Sequence, residues 1–230
     1  MNRKSFVSAV IVAAGSATRM NTDKIILPLN GVPCICRTML AFEEASTVGE
    51  IVVVTRSDLI PVMDEFAKEY GISKYKCSVV GGTCRQDSAA KGFYASSPAF
   101  DFIAVHDGAR PLITPSEIDG VNKDAYDHGS AVCAVRVKDT IKVMNEDGFV
   151  KNTPDRSSLV AVSTPQSFSK KIYTQMVETF SGSFDKFTDD SGMAESIGHR
   201  VKLFFCSYSN IKITTPEDVP FAEGLLKKQN

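Results

Sequence analysis

Short apolar runs rich in β-branched residues recur along the chain, and stretches of helical length separate them. The early separators, which begin near residues 33, 59 and 84, repeat apolar residues at intervals of three and four. Strands that alternate with helices form βαβ units, whose strands lie parallel and carry helices on both faces of the sheet. We therefore predict an α/β fold with a mainly parallel, twisted sheet and a ligand site beyond the carboxyl ends of the strands. The runs are FVSAVIVAA, EIVVVT, KCSVVGG, DFIAVHD, SAVCAVRV and VKLFFCS.

The stretch from Lys138 to Thr164 departs from this pattern. It has no helical period, and Asp147-Gly148 between two apolar segments is typical of a hairpin turn. At 230 residues we expect a single domain over residues 1–230, with an extended β-arm at about 138–164. Such an arm has little core of its own, so we predict that it packs against a second copy in a homodimer.

Charge and cysteine content exclude several classes of protein. A formal net charge of -1 argues against a broad nucleic-acid-binding face, which needs clustered lysine and arginine. The six cysteines lack the paired spacing of a zinc or redox site, which indicates reduced thiols. The apolar run near the start is too short for a signal peptide and leads into a glycine loop. We predict a cytoplasmic protein that binds no membrane.

The segment VIVAAGSATRMNTDK, residues 10–24, follows the first predicted strand. It lacks the Gly-Lys-Ser/Thr ending of a P-loop and the further glycines of a dinucleotide site. The acidic residue expected after the second strand of a dinucleotide site is also missing, because Thr55 and Arg56 stand near that point; Arg56 could imitate a 2′-phosphate ligand there. The remaining hypothesis is a loop around a nucleoside triphosphate, where Arg19 and Lys24 counter the phosphate charge. Two solvated loop cations are the alternative.

An ordered set of segments spans most of the chain, from about Val7 to Glu223. Together the segments resemble the 2-C-methyl-D-erythritol 4-phosphate cytidylyltransferase family. They are AAGSATRM, DKIILPLNGVP, GGTCRQDS, VHDGARP, VKDTIK, TPDRSSL, STPQSF, FTDDSGMAE and YSNIKITTPEDVPFAE. The resemblance implies a Rossmann-like nucleotidyltransferase fold and transfer of a cytidylyl group from CTP to methylerythritol phosphate, with release of pyrophosphate. In such a reaction, positioning and cation stabilisation carry most of the catalysis.

The resemblance also implies roles for individual residues. Arg19 and Lys24 match the cations that stabilise the transition state. The nucleotide is expected at two loops, whose candidate residues are Ala13, Ala14, Gly15, Gly82, Thr83 and Ser88. Ser88 could instead bond to its own backbone at the start of a helix.

The polyol phosphate is expected to meet cations and arm residues. The residues that match the family's substrate-binding positions are Arg110, Asp139, Thr140, Arg156, Thr188 and Lys212. An arginine fork with a lysine suits a phosphomonoester that carries nearly two negative charges. Alternatively, Lys212 is a lysine at a strand end and Arg156 is a surface charge of the arm.

Asp107 ends a predicted strand, where its carboxylate could hold Mg²⁺ that bridges triphosphate oxygens. It could also simply cap the turn. His106 is interpreted as structural, because a phosphate monoester nucleophile is already ionised near neutral pH.

The chain departs from the family pattern at several positions. The loop from Met20 to Lys24 is shorter than the commonest form, and Asp23 replaces the proline that usually precedes the lysine. Thr83 and Ser209 stand where acidic residues are frequent. These differences leave the reach to the phosphates, the recognition of cytosine and a second metal carboxylate open.

Three other functions compete with this interpretation. A ribitol 5-phosphate cytidylyltransferase shares the loop, HDxxRP and TPQSF motifs, whereas DRSSL and TDDSGMAE favour the methylerythritol enzymes. A sugar-nucleotide-binding module without activity would lose the cations at the phosphates, which this chain keeps. A nicotinamide oxidoreductase is disfavoured by the missing glycines and acid.

Overall fold

The computed structural model describes residues 6–15 and 23–227. Its strands are β1 (Val7–Val12), β2 (Pro28–Leu29), β3 (Val32–Pro33), β4 (Val48–Thr55), β5 (Tyr75–Val80), β6 (Phe102–Asp107), β7 (Ser130–Arg136), β8 (Val143–Met144), β9 (Val150–Asn152), β10 (Val160–Ser169) and β11 (Lys202–Phe205). Its α-helices are α1 (Cys34–Glu44), α2 (Ile60–Glu69), α3 (Arg85–Ala95), α4 (Pro115–His128), α5 (Lys170–Phe180), α6 (Asp190–Ser196) and α7 (Asp218–Leu226).

The described residues build a seven-stranded sheet in the order β11-β7-β10-β6-β1-β4-β5. The pairs β1–β4, β1–β6, β4–β5 and β7–β11 are parallel, while β10 runs antiparallel to both β6 and β7. The predicted mainly parallel sheet is confirmed. Each of the six apolar runs identified in the sequence coincides with or overlaps one of its strands, and β10 is the strand that the alternating pattern did not predict.

Alternate residues of each central strand face opposite layers of helices. In β1, Ala9 and Ile11 belong to one apolar cluster, which also contains residues of α1, α2, α4 and α7. Val10 between them belongs to the other cluster, with residues of α3, α5 and α6. Because side chains alternate across a strand, a continuous apolar run supplies both layers at once. β1 is therefore a strand buried on both faces.

The predicted arm ends earlier than the sequence indicated. The hairpin is present, with β8 paired to β9 and Gly148 at φ +83° in the turn. Residues 160–164, however, belong to β10, whose Val160 already pairs with Arg136 of β7. The arm is accordingly the segment 137–159. The turn-forming residues of STPQSF lie inside a ten-residue strand. They are accommodated there because the pairing of β10 with β7 shifts register between Val162 and Gln166.

A tight hairpin joins β2 to β3 downstream of Lys24. Asn30 and Gly31 both have positive φ, at 45° and 80°, as the two-residue turns of tight hairpins require. Arg37 of α1 donates to the carbonyl of Leu29 from both Nε, at 2.9 Å, and Nη2, at 2.7 Å. The segment that leads from Lys24 into α1 is thus fixed by its own turn and by the helix.

Across the described part of the chain, no helix has the length and apolar character needed to cross a bilayer.

Candidate active site

A cavity of about 440 Å³ lies beyond the carboxyl ends of β1, β5 and β6. This is the edge where open parallel sheets bind their ligands. The cavity unites three separate loops with one residue from the segment after β11. Its lining residues are Val12, Ala13, Ala14, Gly15, Lys24, Ile25, Gly82, Thr83, Cys84, Arg85, Ser88, Asp107, Ala109 and Lys212.

Glycines let the loops after β1 and β5 pack against each other. A Cβ added to Gly81 would lie 2.2 Å from the Cβ of Ala14, closer than two carbon atoms can approach. A Cβ added to Gly82 would lie 2.1 Å from Oδ2 of Asp87. The glycines are thus required by neighbouring chain segments, in addition to any approach of a ligand to the backbone.

Helix α3 holds the second loop in shape. Ser88 Oγ accepts from the Gly82 N–H at 2.9 Å and donates to the Cys84 carbonyl at 2.9 Å. Asp87 Oδ2 accepts from the N–H of Thr83 at 2.8 Å. A carboxylate from the first turn of α3 thus holds the backbone of Thr83.

Asp107 lies at the floor of the cavity among three cations. Arg85 Nε is 3.0 Å from its Oδ1, while Lys212 Nζ and Arg110 Nε are 2.9 Å and 3.5 Å from its Oδ2. Burial opposes ionisation, but the positive charges of Arg85, Lys212 and Arg110 outweigh it and hold the pKa of Asp107 well below its usual range. The carboxylate is therefore charged at every physiological pH.

Arg85 is a site residue to which the sequence analysis gave no role. Its guanidinium bridges Asp107 and Asp190, and Asp190 is completely buried and also accepts from the Tyr173 hydroxyl at 3.1 Å. Burial disfavours its charge, yet both carboxylates outweigh burial and raise the pKa of Arg85. One signal could have identified it: Arg85 is the first residue of α3, where a cation opposes the helix dipole and needs acidic partners.

His106 is completely buried beneath the cavity floor. Its Nε2 lies 3.2 Å from the Arg110 carbonyl, which can only accept, so Nε2 carries the proton. Nδ1 then accepts from the Thr164 hydroxyl at 3.1 Å, and that hydroxyl accepts from the Asp107 N–H at 3.0 Å. Both ring nitrogens are used in holding the turn after β6, which accounts for His106 without a role as a base.

The buried histidine predicts a pH-dependent stability. Burial lowers the pKa of His106 to about 3, against 6.5 for an ordinary histidine. Below pH 6.5 the unfolded chain gains a proton at His106 and the folded chain does not. The folded state therefore loses stability relative to the unfolded state as pH falls. We expect roughly 2 kcal/mol of unfolding free energy to disappear between pH 7 and pH 5.

Urea unfolding at several pH values measures this loss, and the His106→Asn variant should show a flatter dependence. His128→Asn, at an exposed helix end, serves as the control for the loss of a histidine as such. Equal slopes in wild type and His106→Asn would show that His106 does not titrate as its burial indicates.

The structure gathers many of the predicted site residues in the cavity but not all of them. The predicted residues in its lining are Ala13, Ala14, Gly15, Lys24, Gly82, Thr83, Ser88, Asp107 and Lys212. Arg110 lies beside Asp107 and lines a second concavity of about 250 Å³, where its Nη1 donates to the Asn210 carbonyl at 2.9 Å. Arg19 lies outside the described residues.

The remaining predicted residues lie on the surface outside the cavity lining. Asp139, Thr140 and Arg156 are exposed residues of the arm, and Arg156 Nη1 donates to the Lys138 carbonyl at 2.8 Å. Thr188 is exposed in the loop just before α6. Residues of a single chain thus complete the nucleotide half of the predicted site more fully than the polyol half.

Comparison with known proteins gives one family. Residues 7–228 match the 2-C-methyl-D-erythritol 4-phosphate cytidylyltransferase family. Proteins of that name from Clostridium novyi and Caldanaerobacter subterraneus are 40% and 42% identical to the chain; the alignments cover 95% and 96% of it, and 96% and 99% of the relatives. The crystal structure of 4-diphosphocytidyl-2C-methyl-D-erythritol synthase from Anaerococcus prevotii superposes with a TM-score of 0.87 at 31% identity, covering 97% of each chain. The chain belongs to the 2-C-methyl-D-erythritol 4-phosphate cytidylyltransferase family.

Proposed function

We propose that this chain transfers a cytidylyl group from CTP to 2-C-methyl-D-erythritol 4-phosphate, giving CDP-methylerythritol and pyrophosphate for isoprenoid precursor synthesis. Family membership over nearly the whole chain supports this activity. The observation that carries it is the cavity itself, which brings the two predicted nucleotide loops together with Lys24, Asp107 and Lys212.

The chemistry needs charge and position rather than a base. An oxygen of the substrate phosphate attacks the α-phosphorus of CTP, and the bond from that phosphorus to the bridging oxygen breaks as pyrophosphate leaves. Negative charge grows on the phosphorus oxygens and on the leaving group, so cations fixed beside them lower the barrier. Lys24 and Lys212 line the cavity as ammonium donors for this purpose, and Arg19 is the third proposed cation.

We propose Mg²⁺ as the cofactor, with Asp107 as its protein ligand. Within residues 6–15 and 23–227, no cluster of three or more His, Cys, Asp or Glu side chains is placed to hold a metal. Asp107 nevertheless offers one ionised carboxylate, which also pairs with Arg85, Arg110 and Lys212, and Mg²⁺ is commonly bound through one or two carboxylates together with substrate phosphates. The ion would supply charge neutralisation for the triphosphate.

We further propose that the arm mediates a homodimer and brings its polar residues to the second substrate. The arm exposes large apolar side chains, and Met144, Phe149 and Val150 are each more than 60% exposed. Exposed apolar residues on a hairpin without a core of its own are typical of a surface that a partner covers. A cytoplasmic location stays a prediction of the sequence.

Replacing Arg156 with alanine tests the arm's role in binding. We expect a rise in KM for the polyol phosphate of at least tenfold with little change in KM for CTP, because a guanidinium contact to a phosphate contributes on the order of 1.5–3 kcal/mol. Initial rates with each substrate varied in turn measure both constants. Lys151→Ala, elsewhere on the exposed arm, is the control. A rise confined to KM for CTP would show that Arg156 acts in the nucleotide half of the site and would contradict its proposed role.

Pyrophosphate release by the purified chain tests the activity as a whole. CTP and Mg²⁺ are supplied with methylerythritol 4-phosphate in one reaction and ribitol 5-phosphate in another. We expect faster turnover with methylerythritol phosphate. Preference for ribitol phosphate would keep the nucleotide chemistry and change the substrate, and absence of turnover with both would overturn the enzymatic function. Sedimentation of the same sample reports whether it is a dimer.

A further inference from the structure

Asp23, the residue before Lys24, is held from two directions. Its Oδ1 accepts from the Ile25 N–H at 3.1 Å, which closes a short turn around Lys24. Its Oδ2 lies 2.6 Å from Nη1 of Arg56 in an ion pair. The Asp23 side chain is 16% exposed and that of Arg56 is 33% exposed, so the pair is partly shielded from water.

Arg56 is held at the end of a strand and by a second acidic residue. It directly follows Thr55, the buried last residue of β4, which pairs with Val80 of β5. The Asp58 carboxylate accepts two hydrogen bonds from the same guanidinium, from Nε at 3.2 Å and from Nη2 at 3.0 Å. With Asp58 on one side of the fork and Asp23 on the other, Arg56 is already engaged in ion pairs and is not set up to bind the phosphate of a dinucleotide.

Lys24 therefore lies between two anchors. On its far side, Ile25 is 3% exposed within the core, and its carbonyl accepts from the Ile35 N–H of α1 at 2.9 Å. On its near side, Asp23 is tied to the end of β4 through Arg56. The backbone of Lys24 is thus fixed relative to both the sheet and α1, and Lys24 and Ile25 both line the cavity.

We propose that Asp23 and Arg56 form a positioning pair, which sets where the Lys24 ammonium stands in the cavity without either residue touching a substrate. This inference rests on the proposed function, in that Lys24 acts there on the transition state. A cation that stabilises developing charge must be held in place before the reaction, and displacement by about 1 Å can cost up to 10²-fold in rate. The pair supplies that restraint to the residue directly before Lys24.

Kinetics of matched variants test the positioning role. Asp23→Asn keeps an oxygen for the Ile25 N–H but removes the charge, and Arg56→Gln removes the partner. We expect each variant to lower kcat about tenfold, to leave CTP affinity within twofold of wild type, and to do no more damage in combination than alone. Lys76→Gln breaks the Lys76–Glu50 ion pair on the same sheet, away from Lys24, and should leave kcat unchanged. Unchanged kcat in both site variants would overturn the proposal.

A second background distinguishes positioning from a general loss of structure. In a Lys24→Ala chain there is no ammonium left to position, so Arg56→Gln should reduce the residual rate by less than twofold. A further tenfold loss in that background would show that the pair acts on something other than Lys24.

Hydrogen exchange gives a readout that does not depend on turnover. We expect the peptide spanning residues 23–29 to exchange several-fold faster in Arg56→Gln than in wild type, because the Ile25 N–H loses its fixed acceptor, while peptides of α5 keep their rates. Unchanged exchange would overturn the anchor even if the enzyme is active. An inactive wild-type chain with accelerated exchange in the variant would instead overturn the function and leave the anchor standing.

Discussion

Replacement of Arg85 with methionine is expected to lower the free energy of unfolding by about 3 kcal/mol, since breaking a buried ion pair by removing one partner costs about 3–5 kcal/mol. The fully buried Asp190 would keep only the Tyr173 hydroxyl among its side-chain partners described above, and Asp107 would lose one of three cations. Methionine keeps the unbranched apolar stem of arginine but lacks the guanidinium, so the loss chiefly reports charge and hydrogen bonding. Urea unfolding with a common slope m measures it.

Two further variants test whether the unpaired carboxylate of Asp190 causes this loss of stability. Arg85→Lys keeps the positive charge but loses the planar fork that reaches both carboxylates, so its loss should lie between those of wild type and Arg85→Met. Adding Asp190→Asn to Arg85→Met removes the stranded carboxylate and should recover part of the stability. A double variant no more stable than Arg85→Met, or a single loss below about 1 kcal/mol, would contradict the buried network.

Replacement of Lys24 with alanine is expected to lower kcat by about 30-fold or more while CTP binds nearly as well. That factor corresponds to about 2 kcal/mol of transition-state stabilisation, which lies below the roughly 2.7–4 kcal/mol lost when one fixed donor is removed from an oxyanion hole. Arg19→Ala should behave in the same way. Turnover measured by pyrophosphate release, together with CTP titration calorimetry, separates the barrier from binding.

Lys171→Ala is the control for Lys24→Ala, because Lys171 is an exposed lysine on α5 that does not line the cavity. It should match the wild type in both measurements. Unchanged turnover in Lys24→Ala and Arg19→Ala would remove both residues from the mechanism, and a large loss of CTP affinity with unchanged kcat would make Lys24 a ground-state contact.

Much of the fold could be predicted from local patterns. The run EIVVVT is apolar at its four inner positions, all β-branched, which is typical of a strand covered on both faces, so β4 and its parallel neighbours could be predicted. The Asp147-Gly148 turn likewise predicts its own hairpin. β10 was missed because its turn-like residues at Ser163–Pro165 mark a register shift inside a strand, which depends on partners on both sides.

The sequence by itself determined which chemical groups this protein has and on which strand ends they stand, because strand periodicity and loop composition are properties of neighbouring residues. The tertiary structure alone decided how those groups meet. Arg85 and Asp190 are 105 residues apart, as are Asp107 and Lys212, and the Asp23–Arg56 pair depends on the close approach of two loops. Charged groups this far apart in the chain become partners only when folding brings them together. Burial then makes each partner necessary, because a buried charge without one is destabilising.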